Sequence, residues 1–175
     1  NVFGGLDPNH KVNKTLFMSQ WLMNDVLTKY PALKTIRPNR WDYLNNPIDM
    51  PYTSEKLNLG VPEGTIILGS CGRPDDGIYD DISVKAAYIA KSMGVNLFYL
   101  VVAPPPRMVE DLKKYNIPYK IIEPTVNPFE LSKFYNTLDI YAHFRADGET
   151  FGSNIGEAMI HRKPVITHLA VPSHP

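Results

Sequence analysis

Short apolar runs alternate with stretches of helical spacing over the last two thirds of the chain. The apolar runs are brief and separated by Gly, Pro, Asn or Asp, a pattern typical of buried strands. They predict strands at residues 66–70, 96–102, 119–122, 139–144 and 164–168. Apolar residues recurring at intervals of three and four predict helices at residues 80–93, 108–115, 128–136 and 153–161.

This regular order predicts an α/β fold with a parallel sheet of about five strands, because parallel neighbours need crossover helices. Residues 97–102 are apolar throughout, as expected for a strand that is buried on both faces. We therefore expect a Rossmann-like, three-layer domain at residues 61–175. Ligands of such sheets bind beyond the carboxyl ends of the strands, where the strand order reverses. The corresponding loops are residues 71–79, 103–107, 123–127 and 145–152.

The first 60 residues are less regular. Their pattern predicts a strand at 16–19, a helix at 21–29, an extended segment at 35–44 and a turn at 46–49. We expect a linker between residues 46 and 62, ahead of the Rossmann-like domain.

Composition narrows the class of protein. Of 175 residues, 43% are hydrophobic and 21% are charged, which is typical of a folded globular chain. Lys plus Arg and Asp plus Glu both number 18, so no basic surplus indicates nucleic-acid binding. The single cysteine, Cys71, excludes a disulfide within the chain and favours a reducing, cytoplasmic location. No apolar run approaches the roughly 20 residues of a membrane span, so no transmembrane segment is predicted, while peripheral membrane contact is left open.

The stretch 147–159 carries the clearest candidate chemistry. Gly148 and Gly152 allow tight turns and a close approach of the backbone to a ligand. The helix that follows Gly152 offers unpaired backbone N–H groups, a suitable site for a phosphate. Glu149 in the loop and Glu157 one turn into the helix can face the same crevice, where carboxylates accept hydrogen bonds from sugar hydroxyls.

A plainer interpretation explains the same residues. Ser153 is then only a helix cap, the two glycines are turn residues, and Glu157 lies on a solvated face paired with His161. Spacing alone slightly favours this plainer interpretation.

The same stretch resembles the Glu-x7-Glu motif of the family 4 retaining glycosyltransferases, with Glu149 and Glu157 as its two glutamates. The surrounding Gly-Glu-Thr-Phe-Gly, Glu-Ala-Met and Lys-Pro-Val-Ile sequences also match that family. Residues 17–21, 46–49 and 68–73 look like its earlier landmarks in the right order. The resemblance covers roughly residues 16–169.

The resemblance implies the nucleotide-sugar-binding, C-terminal domain of a GT-B enzyme. Residues 1–60 would then be the end of an acceptor domain and a linker, and residues 61–175 a donor-binding domain lacking its final helices. Because the chain starts at Asn1 without a methionine, we expect a fragment. It would contain only the end of an acceptor domain, so we expect it not to transfer sugar by itself. The implied activity is transfer from a UDP- or GDP-sugar to a carbohydrate acceptor with retention of configuration, and no metal cofactor is required.

The resemblance also implies roles for individual residues. Glu149 would contact the donor sugar, and Glu157 the ribose. The other residues implied are Gly72, Arg73, Gly152, Ser153 and Asn154 for the diphosphate and Val126 for the base. His143 is a candidate donor contact for a different reason: it lies at the end of a predicted strand, where ligands of such sheets bind. A positive charge at Arg73 stabilises a leaving nucleoside diphosphate.

One departure separates this chain from that family. Where the family usually has a lysine, about six residues after the arginine, this sequence has Tyr79 between acidic residues. Arg107 is a candidate replacement, and without one the stabilisation of the leaving group is weaker. Two alternatives therefore stay open: a nucleotide-sugar epimerase of the same fold, and a non-catalytic nucleotide-sugar-binding module.

Overall fold

The computed structural model describes residues 13–36, 38–149 and 151–168. The predicted ranges 1–60 and 61–175 therefore extend outside the described residues at 1–12 and 169–175, and Thr150 of the glutamate motif also lies outside them. The chain divides into two compact units, residues 1–47 with 150–152, and residues 48–149 with 153–175.

Among its described residues, the first unit contains two short parallel strands and two helices. Its elements are β1 (Thr15–Phe17), α1 (Gln20–Lys29), α2 (Ala32–Ile36) and β2 (Trp41–Tyr43). Ser19 caps α1 by accepting a hydrogen bond from the Leu22 backbone N–H at 3.1 Å. The predicted extended segment 35–44 is wrong in its first part, because residues 35 and 36 belong to α2, and only Trp41–Tyr43 form a strand.

The second unit holds a five-stranded parallel sheet in the order β5-β4-β3-β6-β7. Its strands and helices, all close to the predicted ranges, are β3 (Ile66–Cys71), α3 (Ile82–Ser92), β4 (Leu97–Val102), α4 (Pro106–Lys114), β5 (Tyr119–Ile122), α5 (Pro128–Thr137), β6 (Ile140–His143), α6 (Ser153–Ile160) and β7 (Val165–Thr167). The expected α/β fold with a parallel sheet of five strands is confirmed. The order reverses between β3 and β6, so their carboxyl ends open a crevice.

Successive residues of β3 and β4 point to opposite faces of the sheet, and each face buries a core. Leu68, Tyr99 and Val101 join one core, with α3 and α4. Ile67 and Leu100 join the other, with α5 and α6. The central strand β4 is therefore apolar along its length because helices cover both of its faces.

Residues 48–62 form no helix or strand but pack along α5. Leu57 and Leu59 contact the core on that side of the sheet. The Leu57 backbone N–H donates to Thr137 Oγ1 at 2.8 Å, and the Asn136 side chain donates to the Glu55 carbonyl at 2.9 Å. The turn predicted at residues 46–49 is not formed, since these residues continue the same irregular segment.

Gly69 leaves no room for a side chain in the middle of β3. A Cβ at this position would lie 2.3 Å from Leu138 Cδ2, and Leu138 is itself fully buried. We expect Gly69→Ala to lower the free energy of unfolding by about 1–3 kcal/mol, because the core must shift to admit the methyl group. Denaturant unfolding measures this loss. Gly72→Ala is the matched control, since nothing lies within 4 Å of its Cβ position; equal losses in both variants would contradict the packing explanation.

Candidate functional site

The loops that follow β3 and β6 are joined at the switch point of the sheet. Tyr79 and Arg145 form an isolated antiparallel β-bridge, and the Ala146 backbone N–H donates to the Ile78 carbonyl at 3.1 Å. Two of the loops selected from the sequence are thus joined to each other, through residues 78–79 of one and residues 145–146 of the other. This is the expected location for a ligand in an open parallel sheet.

The carbonyl oxygen of Cys71 connects the end of β3 to α6. It accepts hydrogen bonds from the Asn154 side-chain amide at 2.6 Å and from the Tyr141 hydroxyl at 3.1 Å. The Asn154 amide is therefore engaged in fixing the first turn of α6 beside β3, so an anion at this turn would bind backbone N–H groups. Ser153 is the first residue of that helix.

The two glycines of the glutamate motif adopt conformations that other residues rarely adopt. Gly148 has φ 75° and Gly152 has φ 72°, both in the left-handed region. Gly152 immediately precedes α6, so the chain enters the helix through a conformation that favours glycine. The conformation of the backbone therefore favours glycine at both positions, independently of any ligand.

The Glu157 side chain does not pair with His161. Its Oε2 atom accepts a hydrogen bond from the Tyr135 hydroxyl at 2.6 Å, while His161 Nδ1 bonds the Glu157 backbone carbonyl at 2.7 Å. The ion pair of the plainer interpretation is therefore not formed, and a buried tyrosine holds the carboxylate instead. Burial, aided by this bond to Glu157, raises the pKa of Tyr135, which keeps the phenol protonated as a donor.

Glu149 lies beside two basic side chains from the end of β6. Its Oε2 atom is 3.5 Å from His143 Nε2 and 3.6 Å from Arg145 Nη1. His143 is buried, and its Nε2 atom has no hydrogen-bond partner among the described residues. Arg145 binds Asp147 through two hydrogen bonds, of 2.9 and 2.7 Å, and this pairing lowers the pKa of Asp147. The Arg145 charge is thus largely compensated by Asp147, and the His143 ring turns its Nε2 atom toward the Glu149 carboxylate.

Arg73 and Gly72 are both exposed at the start of the loop after β3. In the part of the chain that the structure describes, no carboxylate lies within ion-pair distance of Arg73. The acidic residues that follow it are engaged locally: Asp75 Oδ1 accepts from the Gly77 N–H, Asp76 Oδ1 from the Arg107 N–H, and Asp80 Oδ1 from the Ile82 N–H, while Asp81 pairs with Lys85. These contacts fix the positions of the four carboxylates, and the Lys85 charge offsets that of Asp81, which weakens its repulsion of a diphosphate.

Val126 lies in the loop after β5 and is fully exposed. Because β5 is the edge strand, this loop is two strands away from the crevice between β3 and β6. The structure thus brings Glu157, Asn154 and Cys71 together, and separately His143 with Glu149, but no described contact joins Val126 to either group.

Tyr135 and Tyr141 are the residues that sequence reasoning missed. Their rings pack in the core as expected for tyrosines in apolar positions, but their hydroxyls bind Glu157 and the Cys71 carbonyl. No spacing signal distinguishes such a tyrosine from one that serves packing alone.

No protein-family model and no curated relative matches the chain. Solved structures do match it. Anabaena HepE, in complex with UDP and glucose, aligns with a TM-score of 0.70 and 16% identity over 90% of this chain and 45% of that chain. WaaG, a glycosyltransferase involved in lipopolysaccharide biosynthesis, aligns with a TM-score of 0.67 and 19% identity over 90% and 44%. The pneumococcal O-GlcNAc transferase GtfA, in complex with UDP and GlcNAc, aligns with a TM-score of 0.62 and 18% identity over 89% and 30%.

The chain has the fold of GT-B glycosyltransferases. It spans less than half the length of each of these three structures. The structural similarity establishes the fold, while the identities, all below 20%, leave the donor, the acceptor and the stereochemistry to be argued from the site itself.

Within this GT-B fold, Tyr79 occupies the position at which the sequence departs from the family pattern. Its hydroxyl donates to Asp111 Oδ2 at 2.9 Å, and burial raises its pKa, so the side chain is a fixed neutral group. The Arg107 guanidinium carbon lies 5.7 Å from the centre of the Tyr79 ring. A cation at the start of α4 therefore stands next to Tyr79, the position at which the resemblance leads one to expect a lysine.

Two further observations concern the described residues only. None of their helices combines the length and the apolar character needed to cross a membrane. No group of three or more His, Cys, Asp or Glu side chains among them is arranged to hold a metal ion.

Proposed function

We propose that this chain is the donor-binding part of a family 4, retaining glycosyltransferase, and that its crevice binds a UDP- or GDP-sugar. The observation that carries the proposal is the arrangement at the switch point, where Asn154 fixes α6 against β3 and Tyr135 orients Glu157. Solved GT-B structures in complex with UDP support the choice of ligand.

In this proposal the diphosphate lies against the first turn of α6. Backbone N–H groups of Gly152, Ser153 and Asn154 donate to it, and the helix dipole favours its negative charge. Arg73 is exposed beside Gly72 and has no competing carboxylate among the described residues, so its charge is available for the phosphates. These groups stabilise the charge that develops on the nucleoside diphosphate as the bond to the sugar breaks.

Arg107 supplies the second cation of the site. Its backbone N–H is held by Asp76 at 3.0 Å, and its side chain lies over the Tyr79 ring. An arginine keeps its charge at all physiological pH values and binds phosphate oxygens through more than one N–H group. The chain can therefore dispense with the lysine without losing a positive charge at this edge of the sheet.

The carboxylates and His143 recognise the rest of the donor. Glu157 accepts hydrogen bonds from the ribose hydroxyls. Glu149 contacts the sugar together with His143, whose Nε2 atom lies 3.5 Å from Glu149 Oε2. Val126 offers an exposed apolar surface for the base. With these groups, no metal ion is required for charge stabilisation in the proposed mechanism.

The rest of the protein's organisation is part of the same proposal. Residues 61–175 form the donor-binding domain, with residues 1–60 the end of an acceptor domain and a linker, and a carbohydrate is the acceptor. We expect this chain by itself to bind the donor without transferring sugar, since most of an acceptor domain is needed to hold the reacting groups in line. A cytoplasmic location, with peripheral membrane contact of the whole protein, accords with a lone Cys71 that forms no disulfide.

Chemical-shift mapping with UDP, GDP and inorganic pyrophosphate tests the ligand and its location. We expect either UDP or GDP to shift the amide signals of residues 72–73, 123–127 and 149–157. Pyrophosphate has no base, so it should shift only the signals of residues 72–73 and 149–157. Adenosine serves as a control without phosphate. Changes confined to residues 21–44, or none with either diphosphate, would contradict the proposal.

The two alternatives make different predictions for the complete protein. The similar solved structures are glycosyltransferases and do not favour an epimerase. Release of a free, epimerised sugar from the donor would instead indicate epimerase activity. A non-catalytic module would bind the nucleotide but give no glycoside with any acceptor. Retention is tested on the product itself, by comparing its anomeric configuration with that of the donor.

A further inference from the structure

Tyr135 is enclosed on several sides at the end of α5. Its side chain is fully buried, and its ring centre lies 5.6 Å from that of Tyr141 and 5.5 Å from that of His161. Its hydroxyl reaches Glu157 Oε2 at 2.6 Å. A ring so enclosed has one accessible rotamer, so the direction in which its hydroxyl donates is fixed.

His161 holds the same assembly from the other side. Its ring stacks against both Tyr135 and Tyr52, with the Tyr52 ring centre at 5.7 Å. Nδ1 bonds the Glu157 carbonyl at 2.7 Å, so Nδ1 carries the proton, because a carbonyl only accepts. In the neutral ring, Nε2 then accepts from the Ser132 hydroxyl at 2.6 Å, and Ser132 Oγ accepts the Thr53 backbone N–H at 3.2 Å.

The Glu157 carboxylate is thus held through one of its two oxygens. Tyr135 occupies Oε2, and no donor among the described residues binds Oε1. A glutamate on a helix surface otherwise samples several rotamers, and the loss of that freedom on binding costs affinity. A carboxylate already fixed by a buried phenol avoids most of this cost, and its second oxygen can accept from two hydroxyl groups.

We infer that Tyr135 is a positioning residue for ribose recognition: it orients Glu157 so that Oε1 meets the ribose hydroxyls of the nucleotide. The inference rests on the proposed function, and adds that ribose selectivity depends on a side chain that never touches the nucleotide. The supports for Tyr135, namely His161, Ser132 and the irregular segment at Tyr52 and Thr53, are part of the same device.

Ribose selectivity is the measurement that isolates this role. Calorimetry gives the dissociation constants of UDP and of 2′,3′-dideoxy-UDP, or of the GDP pair if GDP binds more tightly. We expect Tyr135→Phe to weaken the ribonucleotide by about three- to tenfold, the effect of one lost hydrogen bond. Binding of the dideoxy nucleotide should stay unchanged, so the selectivity ratio falls by the same factor.

Tyr141→Phe is the matched control, because it removes a buried hydroxyl from the neighbouring ring that bonds the Cys71 carbonyl and not Glu157. It should keep the wild-type ratio. An unchanged ratio in a folded Tyr135→Phe variant, or an equal fall in both variants, overturns the inference. If the wild-type chain binds neither UDP nor GDP, the proposed function itself fails, which is a distinct result.

A second variant covers the case in which Tyr135→Phe does not fold. Tyr52 is largely exposed, so Tyr52→Leu removes the outer stacking partner of His161 while leaving the buried core intact. We expect it to lower the selectivity ratio in the same direction by a smaller factor. A wild-type ratio in this variant, when Tyr135→Phe is unfolded, counts against the inference.

Discussion

Glu157→Gln is expected to weaken binding of a nucleoside diphosphate by about tenfold or more. A hydrogen bond to a charged acceptor contributes about 1.5–3 kcal/mol, which corresponds to at least one factor of ten in the dissociation constant. The amide oxygen of Gln can still accept from the Tyr135 hydroxyl, so the fold should persist. Calorimetry with UDP and GDP alone measures this effect without a contribution from sugar or acceptor.

The control for this variant is Glu63→Gln. Glu63 is exposed in the turn just before β3, at the amino-terminal edge of the sheet and away from the crevice. The same change of charge there should leave nucleotide affinity unchanged. Equal nucleotide affinities of the wild-type and Glu157→Gln chains, with unchanged thermal stability, would show that Glu157 does not bind the nucleotide.

The thiol of Cys71 should react about 100-fold more slowly in the folded chain than in the unfolded one at pH 8. Burial is the main cause that raises its pKa to about 11, and the nearby Glu157 charge adds to it. A shift of roughly two units leaves about one hundredth of the ordinary thiolate fraction at this pH, and the thiolate is the reactive form. Alkylation by iodoacetamide measures the rate without ambiguity, because the sequence has one cysteine.

The pH dependence of that reaction provides its own check. The pKa of the Cys71 thiol is higher in the folded chain, about 11, than in the unfolded chain, near 9. The stability that the neutral thiol contributes is therefore fully present below pH 9 and is lost as the pH rises through about 11. The alkylation rate of the folded chain should therefore keep rising up to that pH. The rate in denaturant is the reference; folded and unfolded rates within a factor of about three at pH 8 would refute the expected protection.

The sheet could be predicted from the sequence because its central strands are buried on both faces. Residues 97–102 are apolar without interruption, and the helices between the strands are long enough to show their periodicity. The five residues of α2 are too few for that, and β-branched Thr35 made them look extended. The position of the crevice followed from the general rule for such sheets, while the actual strand order did not, because pairing depends on contacts between distant segments.

The candidate site was predicted less completely than the fold. A recognisable glutamate pair and its glycines indicated the loop. The left-handed φ values of Gly148 and Gly152 explain why glycine stands at both positions. The partner of Glu157 could not be foreseen, because helical periodicity tells which face of α5 is buried and not which acceptor a hydroxyl at its end will meet. His161 illustrates the same limit: four residues from Glu157, it bonds the backbone instead of the carboxylate.

The order of the strands in the sheet determines when the crevice can form during folding. Strand β3 pairs with β4 and β4 with β5, all within residues 66–122, so this half can assemble early from contacts that are close in sequence. The other edge of β3 must wait for residues 139–143, where the Asp139 carboxylate also binds the Ile67 backbone N–H at 2.8 Å. During synthesis on the ribosome, β3 therefore presents an open edge until β6 has emerged, and the crevice is completed after the scaffold of β3, β4 and β5 that supports it.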